Sequence, residues 1–138
     1  MSSNGVVLVV RGLRGFLRGE ERRVAVGESL LIGRSRSADL STRRAPKLRA
    51  RPDAAKVIGT PAFLTVSRRH AMLHHVAPGV IEITDLSSNG TYVDGKKIMR
   101  ERIDDLATRS HILAVGAQER LELSLESAAK KPAPTAKP

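Results

Sequence analysis

Two turn-forming dipeptides, Asn89-Gly90 and Asp94-Gly95, stand only three residues apart in the second half of the chain. Both favour a tight type I′ turn, because both central residues of that turn need a positive φ. The chain is therefore predicted to reverse at 89–90, to run one short strand through Thr91-Tyr92-Val93, and to reverse again. Few folds place two reversals around so short a strand.

Short apolar runs bounded by turn residues occupy most of the remaining sequence. Val6–Val10 is β-branched and ends at Arg11-Gly12, which predicts a buried strand. Further strands are predicted at 22–29, 30–32, 63–66, 71–76, 80–86, 111–116 and 121–126. Residues 99–110 fit either a short helix or an ordered loop. Many short strands with frequent turn signals predict an all-β fold, an antiparallel β-sandwich.

The segment from Ser35 to Pro61 has no apolar period and is strongly basic. From Arg34 to Arg69, both included, there are ten basic residues and only two acidic ones, in a chain whose net charge is +10. We predict a long loop here, solvated and disordered or else functional. A positive field of this kind attracts an anionic partner. The three aromatic residues of the chain, Phe16, Phe63 and Tyr92, are too few to stack single-stranded bases.

Length and composition exclude several classes of protein. The 138 residues suffice for one domain, predicted at 5–126, with a tail at 1–4 and a disordered Lys/Pro/Ala-rich tail or linker at 127–138. The absence of cysteine excludes disulfides, thiolate metal sites and thiol catalysis. No apolar run is long enough for a membrane span, and the first residues do not resemble a signal peptide, so a cytoplasmic location is expected.

Three motifs together resemble the forkhead-associated (FHA) domain family. They are Gly33-Arg34 after an apolar strand, Ser67-Arg68-Arg69-His70 before the next, and the stretch from Asp85 to Gly95. The resemblance covers about residues 5–126 and includes the predicted closing pair of strands. It implies a sandwich of two twisted sheets, of the eleven-strand type, whose loops at one end bind phosphothreonine in a partner protein.

The resemblance also implies which residues contact the phosphate. A phosphothreonine carries a charge of about −1.5 to −2 and three acceptor oxygens, so its site needs a cation and fixed donors. Arg34 would supply the cation, and Ser67 a hydroxyl together with a free backbone N–H. Arg68 would also contact the phosphate, through its side chain or its backbone. Ser88 would donate to the phosphate or line the contact with the threonine methyl group, and the Asn89 amide would bond the ligand backbone. Three further residues, Gly33, His70 and Gly90, would shape the site, with His70 structural rather than catalytic.

Other functions fit the residues less well. No nucleophile elbow, phosphate-binding loop or dinucleotide fingerprint is present, so neither an enzyme nor a cofactor is expected. His70, His74 and His75 are not expected to make a metal site, because strand alternation places His70 and His74 on one face and His75 on the other, without a fourth ligand. Two alternatives stay open: phosphate-independent protein binding by an FHA-like fold, and, less favoured, nucleic-acid binding by the basic loop.

The basic stretch 36–61 makes the spacing between Arg34 and Ser67 longer than the family generally has. One hypothesis is that the stretch extends the positive field and selects acidic or multiply phosphorylated partners, mainly by raising the rate of encounter.

Overall fold

Eleven strands and three short helices follow one another along residues 5–127, the part of the chain that this computed structural model describes. The strands are β1 (Val6–Arg14), β2 (Glu21–Ala25), β3 (Ser29–Gly33), β4 (Leu40–Ser41), β5 (Ala71–Ala77), β6 (Val80–Asp85), β7 (Thr91–Val93), β8 (Lys96–Ile98), β9 (Arg100–Ile103), β10 (His111–Val115) and β11 (Glu119–Ser127). The helices are α1 (Pro46–Arg49), α2 (Ala54–Ile58) and α3 (Pro61–Leu64). The predicted all-β class is confirmed.

The strands form two sheets that enclose one core. The six-stranded sheet has the order β2-β1-β11-β10-β7-β8, and the five-stranded sheet the order β4-β3-β5-β6-β9. Strand pairs are antiparallel except β3 and β4, which are parallel. Alternate residues of β10 and β11 are buried, as expected for strands with one face on the core. Fully buried residues from both sheets build this core: Leu8, Val10, Ile32, Leu73, Ile81, Ile83, Leu113, Val115, Leu121 and Leu123.

Of the two predicted tight turns, one is confirmed and one is wrong. Asp94 (φ 52) and Gly95 (φ 84) both have positive φ and join β7 to β8 as a hairpin. Asn89 does not have a positive φ, and the strands before and after it lie in different sheets. The chain crosses between the sheets here because β7 pairs with β10, where Val93 lies opposite Leu113 and both are buried. Long-range pairing thus overrides the local turn preference.

The basic segment is not a structureless loop. It contains β4, α1, α2 and the first residue of α3, and its buried residues Leu40, Ala45 and Leu48 join the core. Phe63, directly after the segment in α3, is also part of the core. Pro46 and Pro61 begin two of the helices, because each occupies a first-turn position where no backbone N–H is needed. The strand predicted at 63–66 is therefore wrong, because α3 continues to Leu64.

Two contacts connect α3 to the loop between β1 and β2. The Glu119 carboxylate accepts hydrogen bonds from the backbone N–H groups of Phe16 and Leu17, both at 2.9 Å. Burial raises the pKa of Glu119, although these two donors oppose the effect. The Phe16 ring, placed in this way, packs edge-on against Phe63 with ring centroids 5.9 Å apart. The loop between β1 and β2 thus holds the end of the basic segment.

The remaining segments differ from the sequence prediction in smaller ways. Residues 100–103 form β9 and pair with β6, so the ambiguous stretch begins with a strand. Ser127, assigned from sequence to the tail, is the last residue of β11. The predicted tails at 1–4 and 128–138 lie outside the described residues. The longest helix within 5–127 has five residues, and no helix there is long and apolar enough to cross a membrane.

Because Leu48 is 1% exposed and belongs to the core, we expect Leu48→Ala to reduce the free energy of unfolding by about 2–5 kcal/mol. Urea denaturation measures the change. Lys47→Ala, at the exposed neighbouring position of the same helix, is the control and should leave the stability nearly unchanged. Equal midpoints for the two variants would show that the segment contributes nothing to the core.

Candidate functional site

The end of β3 approaches the segment 66–69 so closely that only glycine fits at position 33. A Cβ on Gly33 would lie 2.0 Å from the carbonyl oxygen of Arg68. Two backbone hydrogen bonds close this contact: the Arg34 N–H donates to the Ser67 carbonyl (2.9 Å), and the Ser35 N–H to the Arg68 carbonyl (3.1 Å). Gly33 thus brings the Arg34 backbone directly against Ser67.

The Arg34 side chain is held by one bond and remains free at its other end. Its Nε donates to the Val66 carbonyl at 2.9 Å, and the residue is partly buried. Within the described part of the chain, no carboxylate lies within ion-pair distance of its guanidinium. The two terminal nitrogens therefore offer a fixed pair of charged donors.

His70 joins two loops beneath this cation. Its Nδ1 accepts from the Ser67 N–H (3.0 Å), so the proton lies on Nε2, which donates to the Gly90 carbonyl (2.9 Å). Burial lowers the pKa of His70, although the Gly90 bond and Asp85 oppose the effect. The imidazole is therefore neutral at pH 7. The backbone N–H of Ser67, expected from sequence to be free, is engaged by this ring.

Ser67 and Ser88 meet across the two loops. The Ser67 hydroxyl oxygen accepts from the Ser88 N–H at 3.0 Å, which leaves the hydroxyl proton available to another acceptor. Ser67 is partly buried and Ser88 is exposed. The side-chain hydroxyls of both residues thus belong to one solvent-accessible edge.

Asn89 is also held by the chain itself. Its side-chain Nδ2 donates to the Thr65 carbonyl at 3.2 Å. The Thr65 hydroxyl in turn accepts from the Ala117 N–H at 2.8 Å, in the loop between β10 and β11. The amide still carries a second N–H and a carbonyl oxygen. Its position is therefore fixed while part of its bonding capacity remains.

Sequence reasoning missed the network that shapes the loop between β6 and β7. One carboxylate oxygen of Asp85 accepts from the Ser87 N–H, the Ser87 hydroxyl and the Thr91 hydroxyl. The Ser87 hydroxyl oxygen then accepts from the Gly90 N–H at 2.7 Å. Burial alone would raise the pKa of Asp85, but these hydrogen bonds outweigh it and lower the pKa. The signal was present, since Asp at i bonding the N–H of i+2 is a common local turn.

The sequence matches the FHA domain family over residues 30–113. The chain belongs to this family. No curated protein matches the chain in sequence. Among solved structures, the FHA domain of CT664 from Chlamydia trachomatis is 21% identical, with a TM-score of 0.60 over 84% of this chain and 95% of that one.

Two other solved structures share the fold. An FHA domain of an Arabidopsis thaliana hypothetical protein is 16% identical, with a TM-score of 0.66 over 96% of this chain and 98% of that one. Mycobacterium tuberculosis EmbR, in complex with a low-affinity phosphopeptide, is 20% identical, with a TM-score of 0.54 over 91% of this chain but only 26% of EmbR. At such identities these likenesses establish the fold alone.

Arg68 differs from the other predicted site residues of this FHA domain. Its backbone carbonyl bonds Ser35, but within residues 5–127 neither its backbone N–H nor its guanidinium has a hydrogen-bond partner, and the residue is exposed. The FHA fold therefore joins Arg34 to Ser67 and Ser67 to Ser88 by direct hydrogen bonds, and it holds Asn89 to Thr65, two residues before Ser67. Arg68 is placed beside them by its backbone alone.

Two of the three histidines that were considered as metal ligands, His70 and His75, bond backbone groups through both ring nitrogens. Both ring nitrogens of His70 are engaged, as are those of His75, which contacts the Val24 carbonyl and the Gly79 N–H. His74, between them in sequence, is exposed.

We expect Gly33→Ala to destabilise the domain by about 1–3 kcal/mol, because the new methyl group must displace the backbone at Arg68. Amide chemical shifts should move most at Ser67–Arg69. The matched control is Gly59→Ala, where the nearest atom to the added Cβ is 3.7 Å away and φ is −89. If the two variants unfold at the same denaturant concentration, the close approach of β3 is not a constraint.

An NMR titration of the histidine rings tests the His70 bridge. The pKa of His70 should lie below the ordinary value of about 6.5. His111 is an internal comparison: burial alone would lower its pKa, but hydrogen bonds to Asp94 and Asp105 outweigh this and raise it.

The same pKa shift of His70 fixes the sign of its effect on stability. Because the unfolded chain binds this proton more readily, the contribution is complete above about pH 6.5 and is lost as the pH falls through the lower folded-state pKa. A His70 ring that titrates at or above about 6.5 would contradict the neutral bridge.

Proposed function

We propose that this FHA domain binds a phosphothreonine-containing segment of a partner protein, and so makes a protein–protein contact that depends on phosphorylation. The observation that carries the proposal is the Arg34 guanidinium, anchored through Nε to the Val66 carbonyl and unopposed by any carboxylate of the described residues. The structural neighbour EmbR is itself in complex with a phosphopeptide.

The proposed contacts follow from the donors that the loops present. The two terminal nitrogens of Arg34 would meet the phosphate as parallel donors, the strongest geometry for this pair. The Ser67 hydroxyl proton, the Arg68 N–H and guanidinium, and the Ser88 hydroxyl would complete the shell around the phosphate oxygens. Asn89 retains a second N–H and a carbonyl oxygen for the backbone of the bound segment. Capture of the backbone in this way needs no strand addition to a sheet edge.

Affinity and selectivity should both be modest. A contact restricted to one phosphorylated residue and its neighbours would have a micromolar Kd, about −8 kcal/mol. Threonine differs from serine by one methyl group, whose burial contributes about 1 kcal/mol. No catalytic role is assigned to any of the loop residues, because their arrangement provides donors to an anion rather than a nucleophile with its base.

Isothermal titration calorimetry tests the proposal by comparing the heat of binding of a degenerate phosphothreonine peptide pool with that of an unphosphorylated pool of the same sequences. Only the phosphorylated pool should release heat, and Arg34→Ala should weaken binding at least about tenfold, because it removes charge-assisted hydrogen bonds that contribute about 1.5–3 kcal/mol. Lys56→Ala is a matched control, since Lys56 is an exposed cation of α2 without an ion-pair partner among the described residues.

Two results would contradict the proposal in different ways. Equal heats from both pools would indicate phosphate-independent protein binding. Equal losses of affinity in Arg34→Ala and Lys56→Ala would show that net charge, rather than the anchored guanidinium, attracts the ligand.

A further inference from the structure

The basic segment encloses a depression that is lined by cations. Its volume is about 280 Å3, and its lining combines four arginines with an apolar floor of Leu48, Ala54 and Ile58. The arginines are Arg36, Arg43, Arg44 and Arg49. No acidic residue contributes to the lining.

One of these arginines builds the depression and the other three face it without acidic partners. Arg44 donates from Nε to the Arg36 carbonyl (2.7 Å) and from a terminal nitrogen to the Ala38 carbonyl, which fixes the loop after β3. Within residues 5–127, Arg36, Arg43 and Arg49 have no carboxylate within ion-pair distance. Their positive charge therefore stands uncompensated.

The nearby carboxylates that could neutralise these arginines are engaged elsewhere. Asp39 accepts from the Leu31 N–H at 2.8 Å. Asp53 pairs with Arg51 at 2.8 Å, and this pairing lowers the pKa of Asp53. The two acidic residues between Arg34 and Arg69 therefore form no ion pair with Arg36, Arg43 or Arg49.

The depression adjoins the proposed phosphate site. Arg36 follows Arg34 by two residues, which span at most about 7 Å. From the other side, the Thr42 N–H donates to the Gly33 carbonyl at 3.0 Å, so Arg43 begins next to the backbone that carries Arg34. A peptide held at Arg34 therefore needs roughly two to five further residues to place a side chain among these arginines.

We infer that Arg36, Arg43 and Arg49 form a second anion subsite that binds an acidic or phosphorylated side chain of the same segment whose phosphothreonine Arg34 binds. The inference rests on the proposed function and assigns to it a class of preferred partner, one with two anionic groups a few residues apart. The apolar floor suits the carbon atoms of a side chain, while the guanidinium groups above it suit a carboxylate or a phosphate.

A spacing series of peptides tests the subsite. Each peptide carries one phosphothreonine and, at each neighbouring position in turn, either phosphoserine, a Glu-Glu pair or alanine, and binding is followed by fluorescence anisotropy at constant ionic strength. At the best spacing, the second anion should tighten binding about tenfold. The phosphoserine and Glu-Glu arms distinguish the two sources of the anion, and a gain in either arm supports the subsite.

Two triple variants with the same loss of charge separate a local site from a general field. R36Q/R43Q/R49Q should abolish the gain from the second anion, while changing the affinity for the singly phosphorylated peptide less than about threefold. Arg44 is left intact because it holds the loop. The control K96Q/R100Q/R102Q removes three exposed cations of β8 and β9 and should keep the gain.

The possible failures are distinguishable. If the singly phosphorylated peptide binds but no second anion at any spacing improves binding, the subsite is overturned and the proposed function stands. An equal loss of the gain in both triple variants also overturns it, in favour of a diffuse field. If no phosphopeptide binds, both proposals fail. A short DNA duplex is added as a competitor at equal phosphate concentration. If it displaces the doubly anionic peptide, the proposal that the subsite binds a peptide is contradicted.

Discussion

The neutral imidazole of His70 is the connection on which the loop end of this domain depends. Its two ring nitrogens bond the Ser67 N–H and the Gly90 carbonyl, and its own backbone bonds the Ile32 carbonyl and the Leu86 N–H. One buried residue therefore ties β3, the segment before β5 and the loop after β6 together. A charged imidazole could not accept from Ser67, so burial and the Ser67 bond favour the same neutral tautomer.

The basic segment shows how a charged insertion becomes part of a fold. Leu48 and Phe63 are buried in the core, and Phe16 packs on Phe63 from the other side, so ordering the segment is compensated by apolar burial. The cations project from the opposite surface, where water and salt weaken their mutual repulsion. A segment anchored in this way presents its arginines at fixed positions, whereas a disordered loop with the same composition would supply only a diffuse field.

The parts of the fold that the sequence predicted correctly are those where local and tertiary preferences agree. Asp94-Gly95 closes a hairpin because both the dipeptide and the pairing of β7 with β8 require it. Asn89-Gly90 carries the same local signal, but β7 pairs with β10 in the other sheet, and no local pattern reveals that crossing. The helices of the basic segment were missed for a related reason: each is only four or five residues long, too short to display a helical period.

The candidate site was predictable in its residue types and not in its internal bonds. The motifs identified Arg34, Ser67 and Asn89, but not that the chain itself already engages the Ser67 N–H and one N–H of the Asn89 amide. These bonds fix Ser67 and Asn89 in place, which would reduce the entropy lost on binding the proposed ligand.

Protonation of His70 and protonation of the proposed phosphate ligand would both weaken binding. A phosphomonoester loses its second negative charge below a pKa of about 6. Protonation of His70 would place a hydrogen on Nδ1, opposite the Ser67 N–H, and so break the bridge that positions Ser67 against Ser88. As the pH falls, the ligand becomes a weaker anion while the loops lose their connection. The scaffold and the proposed ligand would thus together set the lower limit of the pH range in which the phosphate dianion binds.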